Sequence, residues 1–390
     1  MGFLCKNTHK YGIKMIDTIK IAVPLNLVTF RSYDNFNIDA LYLERVLSWQ
    51  AAPIKAPFKP YREHTTDEKN TYGYLPEISI SMYPNQIGFC VIRFSAPIML
   101  YGNNIREIKE TDFTCLIITL QAKLKHLNID ISLDDISNAY VWEVHTCKNI
   151  DLTNYSSTDT VLSTLNKLHF AKIIQKGETK FYNTEIQKES KDGRKVNIVC
   201  YKPGSKSTPS YEICFYDKLE ELKKTAAGTE ILNNNPELST KTDIIRFEYR
   251  IYRTQMLRSK LSQCELDQDI SFKNIFKNQI VKKLNKNIWS RIIDPALYIL
   301  PYLNRKTDSL WEKIEKLNLK PMKSLYAYSI YKTFSKEGFD NIPQYIINPK
   351  TKVLNKIKTQ MAQIYNIKPT KIQTTIYHIK NEILNNNPFI

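Results

Sequence analysis

No apolar run in this chain is long enough to cross a bilayer. The most apolar stretches, Cys115–Leu120 and Ala296–Leu303, fall far short of the roughly 20 residues that a helical span needs. The N-terminus has no uninterrupted apolar run after its lysines and no small-residue cleavage site, so no secretory leader is expected. Seven cysteines (Cys5, Cys90, Cys115, Cys147, Cys200, Cys214, Cys264) are scattered without a CxxC pair. That pattern fits buried free thiols in a reducing cytoplasm better than disulfides or zinc. The chain also lacks a P-loop, a His-hydrophobe-His pair, an internal repeat and a long low-complexity linker.

What the chain has is positive charge. Its 390 residues carry 56 Lys and Arg against 39 Asp and Glu, a formal net charge of +17. Such a surplus says little about fold but favours a polyanionic partner. With a membrane excluded on length, nucleic acid is the expected one. The surplus is uneven: residues 271–390 hold 21 basic and 7 acidic side chains, and residues 1–270 are close to balanced.

Strand-like alternation fills the first two-thirds, at Ile16–Val23, Glu77–Met82, Gly88–Phe94, Tyr140–Cys147, Val196–Tyr201, Tyr211–Lys218 and Ile244–Tyr252. Helical spacing marks Ile38–Trp49, Asp112–Leu127 and Ser157–Leu168, the last with a Ser/Thr entry suited to N-capping. Asp192-Gly193 signals a hairpin turn, and Pro203–Ser210 a second connection. Beyond about residue 265 basic amphipathic helices take over, over Phe272–Ile293, Ser309–Leu317, Met322–Glu337 and Lys350–Tyr365, broken by prolines. The expected fold is α+β: a mostly antiparallel sheet flanked by helices, followed by a smaller basic helical C-terminal domain. Residues 1–14 read as an extension, 15–265 as a catalytic domain and 266–390 as the basic helical domain.

Three strands place polar residues on a period of two. Glu212, Cys214, Tyr216 and Lys218 share one face, as do Arg246, Glu248 and Arg250, and likewise Glu143 and His145. That mixture suits phosphodiester cleavage. A tyrosine hydroxyl is a weak nucleophile, since its pKa is about 10, and a nearby lysine favours the phenolate. Two carboxylates can hold a hard divalent cation on the phosphate, and an arginine can clamp its oxygens. Each residue also has a plainer reading. The chain has 24 tyrosines, most of them packing residues; an Arg and a Glu on a strand face commonly form an ion pair; a lone His is commonly half-buried structure.

At these residues the chain resembles the replication initiators of filamentous phages, the gene II protein family, and more distantly initiators of rolling-circle plasmids. Met15-Ile16-Asp17 resembles the family's opening, and Ile92–Asn104 a block in which Asn103 stands where the family has His. Val141–Val144 falls on a strand with an acidic residue, Phe215–Leu222 on the nucleophile segment, Ile245–Ile251 on an Arg-Phe-Glu strand, and Leu325–Asn341 on a C-terminal helix and turn. The blocks keep their order from about residue 15 to 370.

The resemblance implies that Tyr216 is the nucleophile, with Lys218 and Arg246 beside it. Glu143 and Glu248 would be ligands for Mg²⁺ or Mn²⁺, and Asp17 a weaker third. The implied enzyme nicks one strand at a replication origin through a 5′-phosphotyrosine intermediate and later rejoins it. Lys282, Lys283, Lys286 and Arg291 would grip DNA; Trp289, Trp311, Tyr326, Tyr328 and Tyr331 could stack bases, although for most of them the core face of those helices is the favoured reading. Its partners would be double-stranded origin DNA, displaced single-stranded DNA, and a host helicase and polymerase, in a bacterial cytoplasm. The rival readings are a non-catalytic plasmid origin-binding initiator and a mobilisation relaxase. A tyrosine recombinase ranks behind them, because Tyr216 precedes Arg246 instead of following it.

Overall fold

A computed structural model describes residues 16–39, 59–82, 88–167, 181–189, 195–203, 209–294 and 371–385, with isolated positions between them. Its strands are β1 (Ile16–Pro24), β2 (Thr29–Phe30), β3 (Tyr61–Arg62), β4 (Glu77–Ser81), β5 (Phe89–Ser95), β6 (Ile129–Asp130), β7 (Tyr140–Asp151), β8 (Phe181–Glu189), β9 (Lys195–Pro203), β10 (Tyr211–Asp217) and β11 (Ile244–Ile251). The helices are α1 (Thr66–Tyr72), α2 (Ala96–Tyr101), α3 (Phe113–His126), α4 (Leu133–Asn138), α5 (Thr158–Lys167), α6 (Lys218–Leu222), α7 (Ala226–Asn234), α8 (Pro236–Ser239), α9 (Thr254–Gln263), α10 (Phe272–Ile275), α11 (Asn278–Ile288) and α12 (Lys371–Asn385).

Among the described residues, nine strands hydrogen-bond in the order β3-β4-β5-β1-β7-β11-β10-β9-β8, and β2 pairs with β6 separately. The sheet is mostly antiparallel and flanked by helices, as the alternation predicts. The chain forms two compact units. The first comprises residues 1–148, 248–285 and 385–390; the second comprises 149–247 and 286–384. Residue 265 lies inside the first unit, and the divisions between the units fall within β7, β11, α11 and α12.

In the first unit β1 lies between β5 and β7, antiparallel to both, with register shifts against β7. Helix α3 buries Leu116, Ile117, Leu120 and Leu124, the one-sided stripe that helical spacing produces. Phe94, Phe113, Phe272 and Phe276 form an aromatic cluster with centroids 5.0–6.1 Å apart, mostly edge-on.

In the second unit β8 and β9 pair from Phe181↔Pro203 to Glu189↔Lys195. This is the hairpin that Asp192-Gly193 signals; its turn lies outside the described residues. Helix α5 packs on β9 and β10. The last helix, α12, turns Ile372, Ile376, Ile379 and Ile383 inward. It is tied down where Thr375 Oγ1 donates to Ser156 Oγ (3.1 Å) and His378 stacks on Tyr155 with centroids 4.0 Å apart.

Helix α11 is as amphipathic as its sequence suggests. Ile280, Val281, Leu284 and Ile288 are buried, while Lys282, Lys283 and Lys286 are exposed, as is Arg291 beyond it. Trp289 is a core residue instead of an exposed base-stacking platform. It is fully buried, its indole N–H donates to Asp294 Oδ1 (2.8 Å), and its ring meets Phe215 edge-on. Tyr328 is half-exposed on a helix; Trp311, Tyr326 and Tyr331 lie outside the described residues, as do most of 309–317, 322–337 and all of 350–365. Truncating Trp289 to Ala is expected to cost about 3–5 kcal/mol of stability by cavity formation. Urea unfolding measures this; a variant of unchanged stability that had only lost DNA affinity would restore the stacking role.

Candidate active site

The residues of the expected site are divided between the two units. In the second unit β10 is buried at every position from Tyr211 to Tyr216, so the polar set Glu212, Cys214 and Tyr216 lines an interior strand instead of an open surface. Packed layers on both sides of the sheet account for this; the sequence signals polarity but not cover.

Lys218 departs from the expected strand face. The strand ends at Asp217, whose side chain accepts from Glu220 N (2.9 Å) as an N-cap, and Lys218 is the first residue of α6. Asp217 is therefore the signal that alternation alone misses: a carboxylate cap directly after the tyrosine. Burial raises its pKa, against the hydrogen bond from Glu220 N, which lowers it. The Lys218 side chain is 1% exposed, and its ammonium donates to Glu221 Oε2 at 2.6 Å. That cation is partly neutralised by its own helix.

Tyr216 has two tyrosine neighbours on β9 and β10. Tyr201 is fully buried and its hydroxyl donates to the Leu165 carbonyl. Burial pushes the Tyr211 hydroxyl pKa upward, against a lowering influence from Arg291. Tyr216 is the least buried of the three, at 7% exposure. Arg246, on the neighbouring strand β11, is buried and its guanidinium donates to Asn149 Oδ1 (3.2 Å).

In the first unit, strand register sets four charges in a row: Glu77 on β4, Arg93 on β5, Lys20 on β1 and Glu143 on β7. Arg93 reaches Glu77 (3.1 Å) and Glu143 (3.4 Å), and Lys20 reaches Glu143 (3.9 Å). His145 Nε2 lies 2.9 Å from Glu143 Oε1, off the line of a hydrogen bond, and its ring meets Tyr252 edge-on. Burial alone would raise the pKa of Glu143; His145, Arg93 and Lys20 outweigh it and hold it below the ordinary value.

Glu248 is 3% exposed and takes Arg250 two residues on, at 2.5 and 2.7 Å. Arg250 is thus a structural partner that the period-two pattern places correctly but does not name. Asp17 accepts from Ser95 Oγ (3.2 Å). Asn103 builds the turn after α2, accepting from the amides of Ile105 and Arg106 behind Gly102, whose φ of +70° is the left-handed cap that glycine tolerates.

The two carboxylates expected to hold Mg²⁺ or Mn²⁺ therefore already face protein cations, Glu143 both Arg93 and Lys20 and Glu248 Arg250. Such an arrangement does not fit a hard divalent ion, which needs uncommitted oxygens. Among the described residues, the one group of three donors close enough to share an ion is Cys200, Glu212 and Cys214. It contains neither.

The chain matches no protein-family model, no curated protein and no solved structure.

Because the folded pKa of Glu143 is depressed, its stabilising contribution is complete above the ordinary carboxylate pKa of about 4.3 and is lost as pH falls through the lower folded value. The stability difference between wild type and Glu143→Gln should be flat from neutral pH to about 5 and shrink in more acid solution. Chemical denaturation at several pH values measures it. A difference that grows on acidification would contradict the assignment.

Proposed function

We propose that this protein is a rolling-circle replication initiator that nicks and rejoins one DNA strand with Tyr216 as the covalent nucleophile. The observation that carries the reading is the pairing of Tyr216 with its surroundings. It is the most accessible of three tyrosines on β9 and β10, on a strand whose other inward positions include a carboxylate and a thiol, beside a strand carrying the buried Arg246. Buried ionisable groups are enriched where chemistry is done, although structural ion pairs bury them as well.

The reaction is a transesterification. The Tyr216 Oη attacks the phosphorus, the P–O3′ bond breaks, and a 5′-phosphotyrosine forms. The phenolic proton leaves to solvent or a base, and the departing 3′ oxygen gains a proton to become a 3′-OH that primes synthesis. The phosphodiester energy stays in the covalent bond, so attack by a 3′-OH in reverse closes the strand without a nucleotide cofactor. Arginine is the residue type that best stabilises charge on the non-bridging oxygens, and Arg246 is the proposed source. Mg²⁺ or Mn²⁺ remains the proposed cofactor for nicking, but no ligand is assigned to it. It would have to displace Arg250, or the group around Glu143, to use the two glutamates.

The basic face of α11 supplies the grip on DNA in this reading. Replacing Lys282, Lys283, Lys286 and Arg291 together should weaken binding across sequences and flatten its salt dependence. Each lost phosphate contact lowers the slope of log affinity against log salt by about 0.9. Filter binding over a salt series reads both effects; an unchanged slope would remove α11 from the interface.

The nicking claim is tested with negatively supercoiled DNA carrying this chain's own coding region and flanks, with and without Mg²⁺ or Mn²⁺. Conversion to open circles supports it. Intact binding with no nicking under any of these conditions overturns it in favour of a non-catalytic origin-binding initiator.

A further inference from the structure

We infer that Cys200, Cys214 and Glu212 form a binding site for a thiophilic divalent cation, zinc by chemical class. The site belongs to the second unit and shares Glu212 and Cys214 with the strand that carries Tyr216, but its test reads metal binding and not nicking. Cys200 and Cys214 are directly opposed across β9 and β10, and Glu212 precedes Cys214 by two residues, on the same face of β10. All three are buried, at 2%, 0% and 4% exposure, and their donor atoms all lie within 4.8 Å of one another.

The two sulfurs stand closer together than a bound ion would hold them. Zinc holds sulfur at about 2.3 Å and carboxylate oxygen at about 2.0–2.2 Å, so donors around it stand some 3–4 Å apart. The two sulfurs are 2.7 Å apart, longer than the S–S bond of a disulfide (about 2.05 Å) and closer than even two non-bonded carbon atoms rest, about 3.5–4.0 Å. An opening of about 1 Å would seat a cation between them. A disulfide would also relieve the contact, but it would make no use of Glu212.

Charge points the same way. Burial disfavours a lone thiolate, because a charge taken out of water loses its solvation. A coordinated cation reverses that logic, because it binds thiolate and carboxylate together and offsets their charge where water cannot. Two sulfurs and one oxygen select a soft or borderline metal over Mg²⁺. Three protein donors leave a coordination position for water or a further group. The ligands are 14 residues apart in sequence and meet only through strand pairing, which is why no CxxC announces them.

The test uses the full-length protein, reduced and freed of metal, titrated with Co²⁺. One equivalent is expected to produce a thiolate-to-cobalt charge-transfer band in the near ultraviolet, displaced by Zn²⁺. Cys200→Ser and Cys214→Ser should each abolish the band, and Glu212→Gln should weaken binding at least tenfold. Cys90→Ser should leave it unchanged. Zn²⁺ should also raise the thermal midpoint of wild type and not of either serine variant. Circular dichroism separates lost binding from lost fold, and Glu212→Gln keeps the test decisive should a serine variant fail to fold. The inference is overturned if reduced wild type gives no band, if the band survives both serine changes, or if the two cysteines are found only as a disulfide that takes up no metal once reduced.

Discussion

Charge buried inside a sheet is the constraint on which this structure turns. Strands β10 and β11 are covered almost throughout, yet they carry Glu212, Arg246 and Glu248, and a buried lysine follows at 218. An ion removed from water loses several kcal/mol of solvation unless a partner restores it. Arg250 partners Glu248, Asn149 partners Arg246 and Glu221 partners Lys218. Lys148 and Glu107, both buried and 2.7 Å apart, repeat the arrangement in the first unit. Apolar replacements of such pairs are often as stable or more so, so stability alone gives little reason to keep them.

That constraint also reshapes the expected chemistry. A carboxylate that holds a protein cation is a poor ligand for Mg²⁺, and a lysine bound to its own helix is a weaker activator of a neighbouring phenol. The nucleophile assignment thus rests on Tyr216 and Arg246, while the metal assignment loses its two glutamates. The row Glu77–Arg93–Lys20–Glu143 is better understood as an internally balanced ladder of cross-strand pairs than as a ligand set.

Much of the fold was legible because it depends on local periodicity. Alternation located β1, β4, β5, β10 and β11 to within a residue or two, and helical spacing located α3 and α5. Cover was not legible: period two separates the faces of β10 but cannot say that both are buried. The capping role of Asp217, which moves Lys218 off the strand, depends on one hydrogen bond. Partner choice was hidden as well, since Glu248 pairs along its own strand and Glu143 across three. The Cys200–Cys214 opposition needed the β9–β10 register, and the two-unit division follows packing instead of composition.

Direct mapping of the covalent link identifies the nucleophile. The protein is incubated with supercoiled DNA carrying its own coding region, denatured and digested with nuclease and protease, and the nucleotide-bearing peptide is sequenced by mass spectrometry. A nucleotide is expected on Tyr216 and none on Tyr201 or Tyr211. A nucleotide on either of those tyrosines, or nicked DNA with no tyrosine adduct, would contradict it.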